Sequence, residues 1–241
     1  MLVHGFTQTA GSWARVCSGL GDRFEVVTVE LPGHGRSPMP EPAMGLFKAA
    51  EALARAGGAA TYVGYSLGAR HLLHLALQQP DLVARLVVVG AHPGIEDAEQ
   101  RRQRLEADEL LASEIERGGD DKVPEFVDAW LAGPLFAHLS QEQADRASRL
   151  SNTAAGLAAS LRTAGTGTQA PLWDRLHELE MPVLVVVGES DDKFRPIAAR
   201  TAELIGPNAR LAVMAGAGHA ACFERPDDFV FLLREFLTAG T

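Results

Sequence analysis

Six short stretches of the chain are apolar nearly throughout rather than alternating: Met1 to His4, Phe24 to Val29, Thr61 to Tyr65, Leu86 to Gly90, Val183 to Gly188 and Leu211 to Met214. Valine- and leucine-rich runs of this length, bounded by glycine and proline, read as strands, and the missing period-two alternation means that both faces are buried. Helical patterns separate most of them, at about 44–57, along His71 to Leu77 and at roughly 227–238, and Ser12 is placed to cap a helix starting near Trp13. Buried strands alternating with helices predict an α/β protein with a mostly parallel sheet and helices on both faces.

Between Pro93 and Leu179 that rhythm stops. The interval holds charged, amphipathic segments only: Asp97 to Arg117, Val123 to Leu131, Gln141 to Leu150 and Ala154 to Arg162. It is far longer than a crossover requires. A helical cap is expected over 94–178, inserted between two parts of one core, 1–93 and 179–241. A cap over the carboxyl ends of the strands would roof the place where an open α/β sheet binds its ligand.

Length and composition fit this picture: 241 residues, 46% hydrophobic and 22% charged, enough for one substantial core. The net charge of −9 argues against nucleic acid or an anionic membrane as partner, but leaves room for a small anionic ligand in a locally positive site. No apolar run approaches a membrane span and no leader precedes the first strand, so a cytoplasmic protein, monomeric or homodimeric, is expected. Cys17 and Cys222 lack metal spacing and read as reduced thiols; neither a metal nor a cofactor is expected.

The chemistry centres on Gly64-Tyr65-Ser66-Leu67-Gly68, which joins the third strand to the helix after it. Strand, Gly-x-Ser-x-Gly, helix is the context that presents a serine on a tight, strained turn. The motif alone is weak, and a serine needs a base and a group to orient that base. Gly188-Glu189-Ser190-Asp191-Asp192 follows the fifth strand and Gly216-Ala217-Gly218-His219 the sixth. Ser66, Asp191 and His219 therefore occur in the chain order of α/β-hydrolase triads, each just past a strand. Asp191 is preferred to Asp192 and Glu189, and His219 to His4, His34, His71, His74, His138 and His177, of which His4 is expected to hold a loop by hydrogen bonding. The oxyanion donors are expected to be the N–H groups of Leu67 and Phe6. Arg70 stands one turn after Ser66 on the same helix face, so it is either a grip for an anionic substrate or half of a structural ion pair.

Several stretches resemble one family closely: His4 to Gln8 with Trp13, Leu31 to Ser37, Gly64 to Arg70, Gly188 to Phe194, Gly216 to Ala220, and in the cap Ala129-Trp130, Pro134 to Phe136, Arg149 to Asn152 and Gly165 to Gln169. They resemble the α/β-hydrolase-fold synthases of menaquinone biosynthesis that make 2-succinyl-6-hydroxy-2,4-cyclohexadiene-1-carboxylate. The resemblance implies a lyase whose triad acts as a base and eliminates pyruvate without an acyl-enzyme. It implies carboxylate binding by Arg70, Arg104 and Arg149, and an aromatic wall of Tyr65, Trp130 and Phe136. Three positions depart from the family: the chain starts at Met1-Leu2-Val3, so that either the start is internal or the sheet is shortened; Ala69 replaces a common glycine; and Cys222 stands near a common second histidine. Two rivals use the same residues: a hydrolase acting on an ester, lactone or carbon–carbon bond, and a ligand sensor that keeps the fold.

Overall fold

A computed structural model describes residues 1–239 of the chain. Six strands, β1 Leu2–Val3, β2 Thr28–Val29, β3 Ala60–Tyr65, β4 Val83–Val89, β5 Val183–Gly188 and β6 Ala209–Met214, form one sheet in the order β2-β1-β3-β4-β5-β6. Every neighbouring pair is parallel. β5 is buried throughout, β3 from Tyr62 and β4 from Leu86 onward, as continuous apolar strands require. β6 differs from the expectation: as an edge strand it leaves Leu211 and Val213 exposed. β2 is also shorter than expected, because only Thr28 and Val29 reach register with β1.

The helices, in chain order, are α1 Ala14–Leu20, α2 Leu46–Gly57, α3 Leu67–Gln78, α4 Ala98–Gly118, α5 Val123–Leu131, α6 Arg146–Arg149, α7 Ala154–Ala164, α8 Phe194–Ile205, α9 Ala221–Glu224 and α10 Pro226–Thr238. One sheet face is packed by residues of α2, α3 and α8, among them Leu53, Leu72, Leu73 and Ile205. The other is packed by α1 and α10 through Val16, Leu20, Phe229 and Leu233. The start of α1 is a correction: Thr9, not Ser12, caps a preceding 3₁₀ turn at Ala10–Trp13 by accepting the Gly11 N–H, while Ser12 donates to Asp145.

α4 to α7 fill the interval between β4 and β5 and have an apolar centre of their own, built from Ala112, Ile115, Val127, Leu157 and Leu161. Phe6, in the loop after β1, packs against both this cluster and the main core, so that loop is pinned between sheet and helical layer. The helix expected from Gln141 to Leu150 is reduced to α6. Ser140 and Gln143 cap each other's N–H groups, and Asp145 takes φ +49, a left-handed conformation that ends any helix running into it.

Candidate active site

β3 ends at Tyr65 and α3 begins at Leu67, so the whole change of direction falls on Ser66, at φ +49 and ψ −106. This strained conformation for a non-glycine residue is held by the Ser66 N–H donating to Val89 O at 2.8 Å. Gly68 lies so close to the β1 backbone that a Cβ would overlap Val3 O, and a Cβ on Gly64 would stand 2.6 Å from the Ala69 nitrogen. Only glycine lets α3 sit this near the sheet. Leu67 opens α3, so its N–H has no acceptor within the helix.

His219 lies in the turn after β6 with its Nδ1 2.8 Å from Asp191 Oδ2, both side chains almost fully buried. Asp191 Oδ1 accepts the Phe194 N–H at 3.2 Å, which fixes the carboxylate at the start of α8. Asp192 is exposed, and Glu189 accepts the Gly216 N–H at 2.9 Å, so neither competes for the histidine. With Nδ1 taken by the carboxylate, the imidazole turns Nε2 to the cleft that it lines together with Ser66. Among the described residues no hydrogen bond joins Ser66 Oγ to His219.

The loop carrying Phe6 is held from two directions. His4 Nδ1 donates to Gly5 O at 2.8 Å and its Nε2 accepts the Leu31 N–H at 3.1 Å, which is the loop-holding role expected of it. From the helical layer, Arg149 reaches Thr7 Oγ1 and Phe6 O, and Asn152 Nδ2 donates to Thr7 O at 2.6 Å. Thr7 sits at φ +67, a conformation that these bonds maintain.

The cleft under the helical layer has a cavity volume of about 100 Å³, is partly open to solvent, and is lined by Phe6, Leu67, Arg70, Arg104, Trp130 and Lys193 beside Ser66 and His219. Arg70 is 8% exposed, and among the described residues its side chain donates to the neutral Gln169 Oε1, at 3.3 Å, as its one hydrogen bond. Burial, and then repulsion by Arg104, push its pKa down to about 10. Arg104 is half-buried and paired with Asp108 at 2.8 Å. No described carboxylate forms an ion pair with Arg70 or Lys193.

Three residues expected at the substrate stand elsewhere. Arg149 does not line the cleft; its guanidinium is occupied by Ala144 O at 2.6 Å and by the Phe6–Thr7 loop, and it lies over the Phe136 ring. Phe136 supports Trp130 from behind, with ring centroids 6.0 Å apart, and leaves the wall to Trp130 and Leu135. Tyr65 is buried against His219 and Phe223 and stacks over Gly5, where any Cβ would meet its ring at 2.7 Å.

Lys193 and His92 line the cleft without having been assigned a role from the sequence. His92 Nδ1 accepts the Gly94 N–H at 3.0 Å, so the proton of the neutral ring is on Nε2. Burial, then Lys193, Arg70 and Arg104, lower its pKa to about 4. Both residues follow strand ends, His92 after β4 and Lys193 after β5, the rule that singled out Asp191 and His219. Among the described residues no group of three or more His, Cys, Asp or Glu could hold a metal ion, and no helix is long and apolar enough to cross a membrane.

A parallel sheet with a serine corner, a histidine and a carboxylate at successive strand ends defines a class, and the chain belongs to it: the α/β-hydrolase fold family matches residues 1–226. Within that family, a 2-succinyl-6-hydroxy-2,4-cyclohexadiene-1-carboxylate synthase from Enterobacter sp. (strain 638) is 32% identical over 246 residues, which are 98% of this chain and 90% of that protein. The structure of MenH from S. aureus superposes with a TM-score of 0.91 at 30% identity, over 98% of this chain and 91% of that one. The crystal structure of E-2-(acetamidomethylene)succinate hydrolase gives a TM-score of 0.77 at 27% identity, over 99% and 90% of the two chains.

Proposed function

We propose that this chain is a lyase of menaquinone biosynthesis that eliminates pyruvate from 2-succinyl-5-enolpyruvyl-6-hydroxy-3-cyclohexene-1-carboxylate. The observation that carries the reading is Arg70, a buried guanidinium that forms no ion pair with a described carboxylate, set one helical turn from Ser66 in a cleft shared with Arg104 and Lys193. An unpaired buried cation is costly in the free protein and is compensated when an anion arrives. The proposed substrate brings several carboxylates. Similarity over nearly the full chain to a synthase of this name supports the same reading.

In the proposed chemistry His219, oriented by Asp191, acts as base through or beside Ser66 and takes the proton from the ring carbon that bears the succinyl group. Charge develops on the succinyl ketone oxygen, for which the Leu67 and Phe6 N–H groups are the proposed donors. The ring double bond becomes two conjugated ones as the carbon–oxygen bond to the enolpyruvyl group breaks. The pyruvate enolate leaves and is protonated to pyruvate. No covalent bond to Ser66 is required, which suits a serine that makes no hydrogen bond to His219.

The second reading, a hydrolase of a carboxylate-bearing substrate, is favoured by the similarity to E-2-(acetamidomethylene)succinate hydrolase. Incubating the purified protein with the enolpyruvyl precursor and assaying pyruvate separates the two, with p-nitrophenyl acetate as comparison. Pyruvate release that is abolished in Ser66→Ala and His219→Ala is the expected result. Ester hydrolysis without pyruvate release would overturn the lyase.

A further inference from the structure

His219 is carried on Gly216-Ala217-Gly218-His219-Ala220, a turn with φ +64 at Gly216 and no side chain larger than a methyl group besides the imidazole itself. Ala217 and Ala220 pack into the core, but the peptide N–H groups of the turn still need acceptors. Asp191 sets the rotation of the imidazole through Nδ1, but a hydrogen bond to the ring does not determine where the Cα stands. The acceptor for the N–H groups beside His219 is a second carboxylate that the proposed chemistry does not use.

Glu224 ends α9, five residues beyond His219, and is 6% exposed. Its Oε2 accepts the Gly218 N–H at 2.5 Å and its Oε1 accepts the Ala220 N–H at 3.0 Å. The two N–H groups are those on either side of His219, so one rigid carboxylate clamps the backbone before and after the histidine. No described cation pairs with Glu224, so these peptide N–H groups are the only partners its side chain has for a buried charge. Charge-assisted bonds of this kind are stronger than neutral ones. The clamp is itself anchored. Gln143, from the helical layer, donates to the Glu224 carbonyl at 2.7 Å, and Ala217 O accepts the Ser190 N–H at 2.8 Å, tying the turn to the loop of Asp191. Close packing leaves no alternative site for the turn: a Cβ on Gly218 would stand 2.8 Å from His138 Cδ2.

We propose that Glu224 is a positioning residue for His219, holding the imidazole at the height from which it takes the substrate proton. The proposal rests on the reading of His219 as the base. Glutamine at this position has nearly the same shape but one acceptor oxygen, so it can satisfy only one of the two N–H groups and sets an NH₂ against the other. Displacing a catalytic group by about 1 Å can cost on the order of 100-fold in rate.

The test is steady-state pyruvate release by Glu224→Gln, together with the low-field proton resonance of the His219 Nδ1–H, on protein whose melting curve shows that it is folded. The expected result is a kcat lowered by at least about tenfold with KM changed by less than about twofold, and a displaced or broadened resonance. A purely structural role would lower the melting temperature and leave the kcat of the folded fraction and the resonance unchanged, and that outcome overturns the proposal. If Glu224→Gln does not fold, Glu224→Asp, which keeps the charge and loses one methylene, is read by the same two measurements, and unchanged values again overturn it. His219→Ala is the separate control: full activity in that variant would remove His219 as base, whatever Glu224 does.

Discussion

In the proposed reading, Arg70 trades stability for binding. Its guanidinium is taken from water into a cleft where only a neutral amide receives it. Arg70→Met, which keeps much of the volume and removes the charge, is expected to raise the melting temperature of the ligand-free protein. The same variant should lose about 2–5 kcal/mol in kcat/KM for the enolpyruvyl substrate, and far less for p-nitrophenyl acetate, which has no carboxylate to hold. Equal losses with both substrates would contradict anion binding by Arg70. This residue was legible from its spacing to Ser66, since positions four apart share a helix face. Ser66, Asp191 and His219 were legible because each follows a strand. Arg149 was not: its sequence neighbourhood fits a substrate grip, and only the tertiary position of α6 turns the guanidinium onto the Phe6–Thr7 loop.

At the scale of elements, the corner between β3 and α3 depends on how closely the two can approach. A methyl group on Gly68 would overlap the backbone of β1, not a side chain that could move aside. Gly68→Ala is therefore expected to destabilise by about 3 kcal/mol or more, measured by denaturant unfolding, whereas Ala69→Gly should cost about 0.5–1 kcal/mol, as expected for glycine inside a helix. Comparable losses for the two would show that the corner tolerates a Cβ. Apolar runs gave the buried strands because β3, β4 and β5 leave no ambiguity of face. They misjudged β6, since an edge strand shows the same composition and only the sheet order reveals which face lacks a neighbour. They also misjudged the stretch before α6, where serine and glutamine side chains compete for the backbone and a left-handed aspartate stops the helix.

Across the whole molecule, His4, His34 and His71 gather behind the corner as neutral, fully buried groups. Burial lowers all three, with His34 at about 4 and His71 at about 3, and His4 well below its ordinary value, partly through repulsion by His34. The unfolded chain takes up protons on these groups near pH 6.5, while the folded one refuses them until much lower pH. Their contribution to stability is thus complete above about pH 6.5 and is lost progressively as pH falls toward 4. Unfolding near pH 5 should consume close to one proton per histidine, each adding a slope of about 1.4 kcal/mol per pH unit. Melting temperatures between pH 7.5 and 4.5 check this, and a flat profile would show that the three are protonated in the folded state.

The bonds from Arg149 and Asn152 to the Phe6–Thr7 loop join the helical layer to one of the two expected oxyanion donors. Asn152 also accepts the Gly35 N–H at 2.8 Å, so a third loop is fastened at the same point. A roof hinged away as a unit would pull these anchors from the loop and leave Thr7 free to relax from its left-handed conformation. Opening and disarming are then a single event.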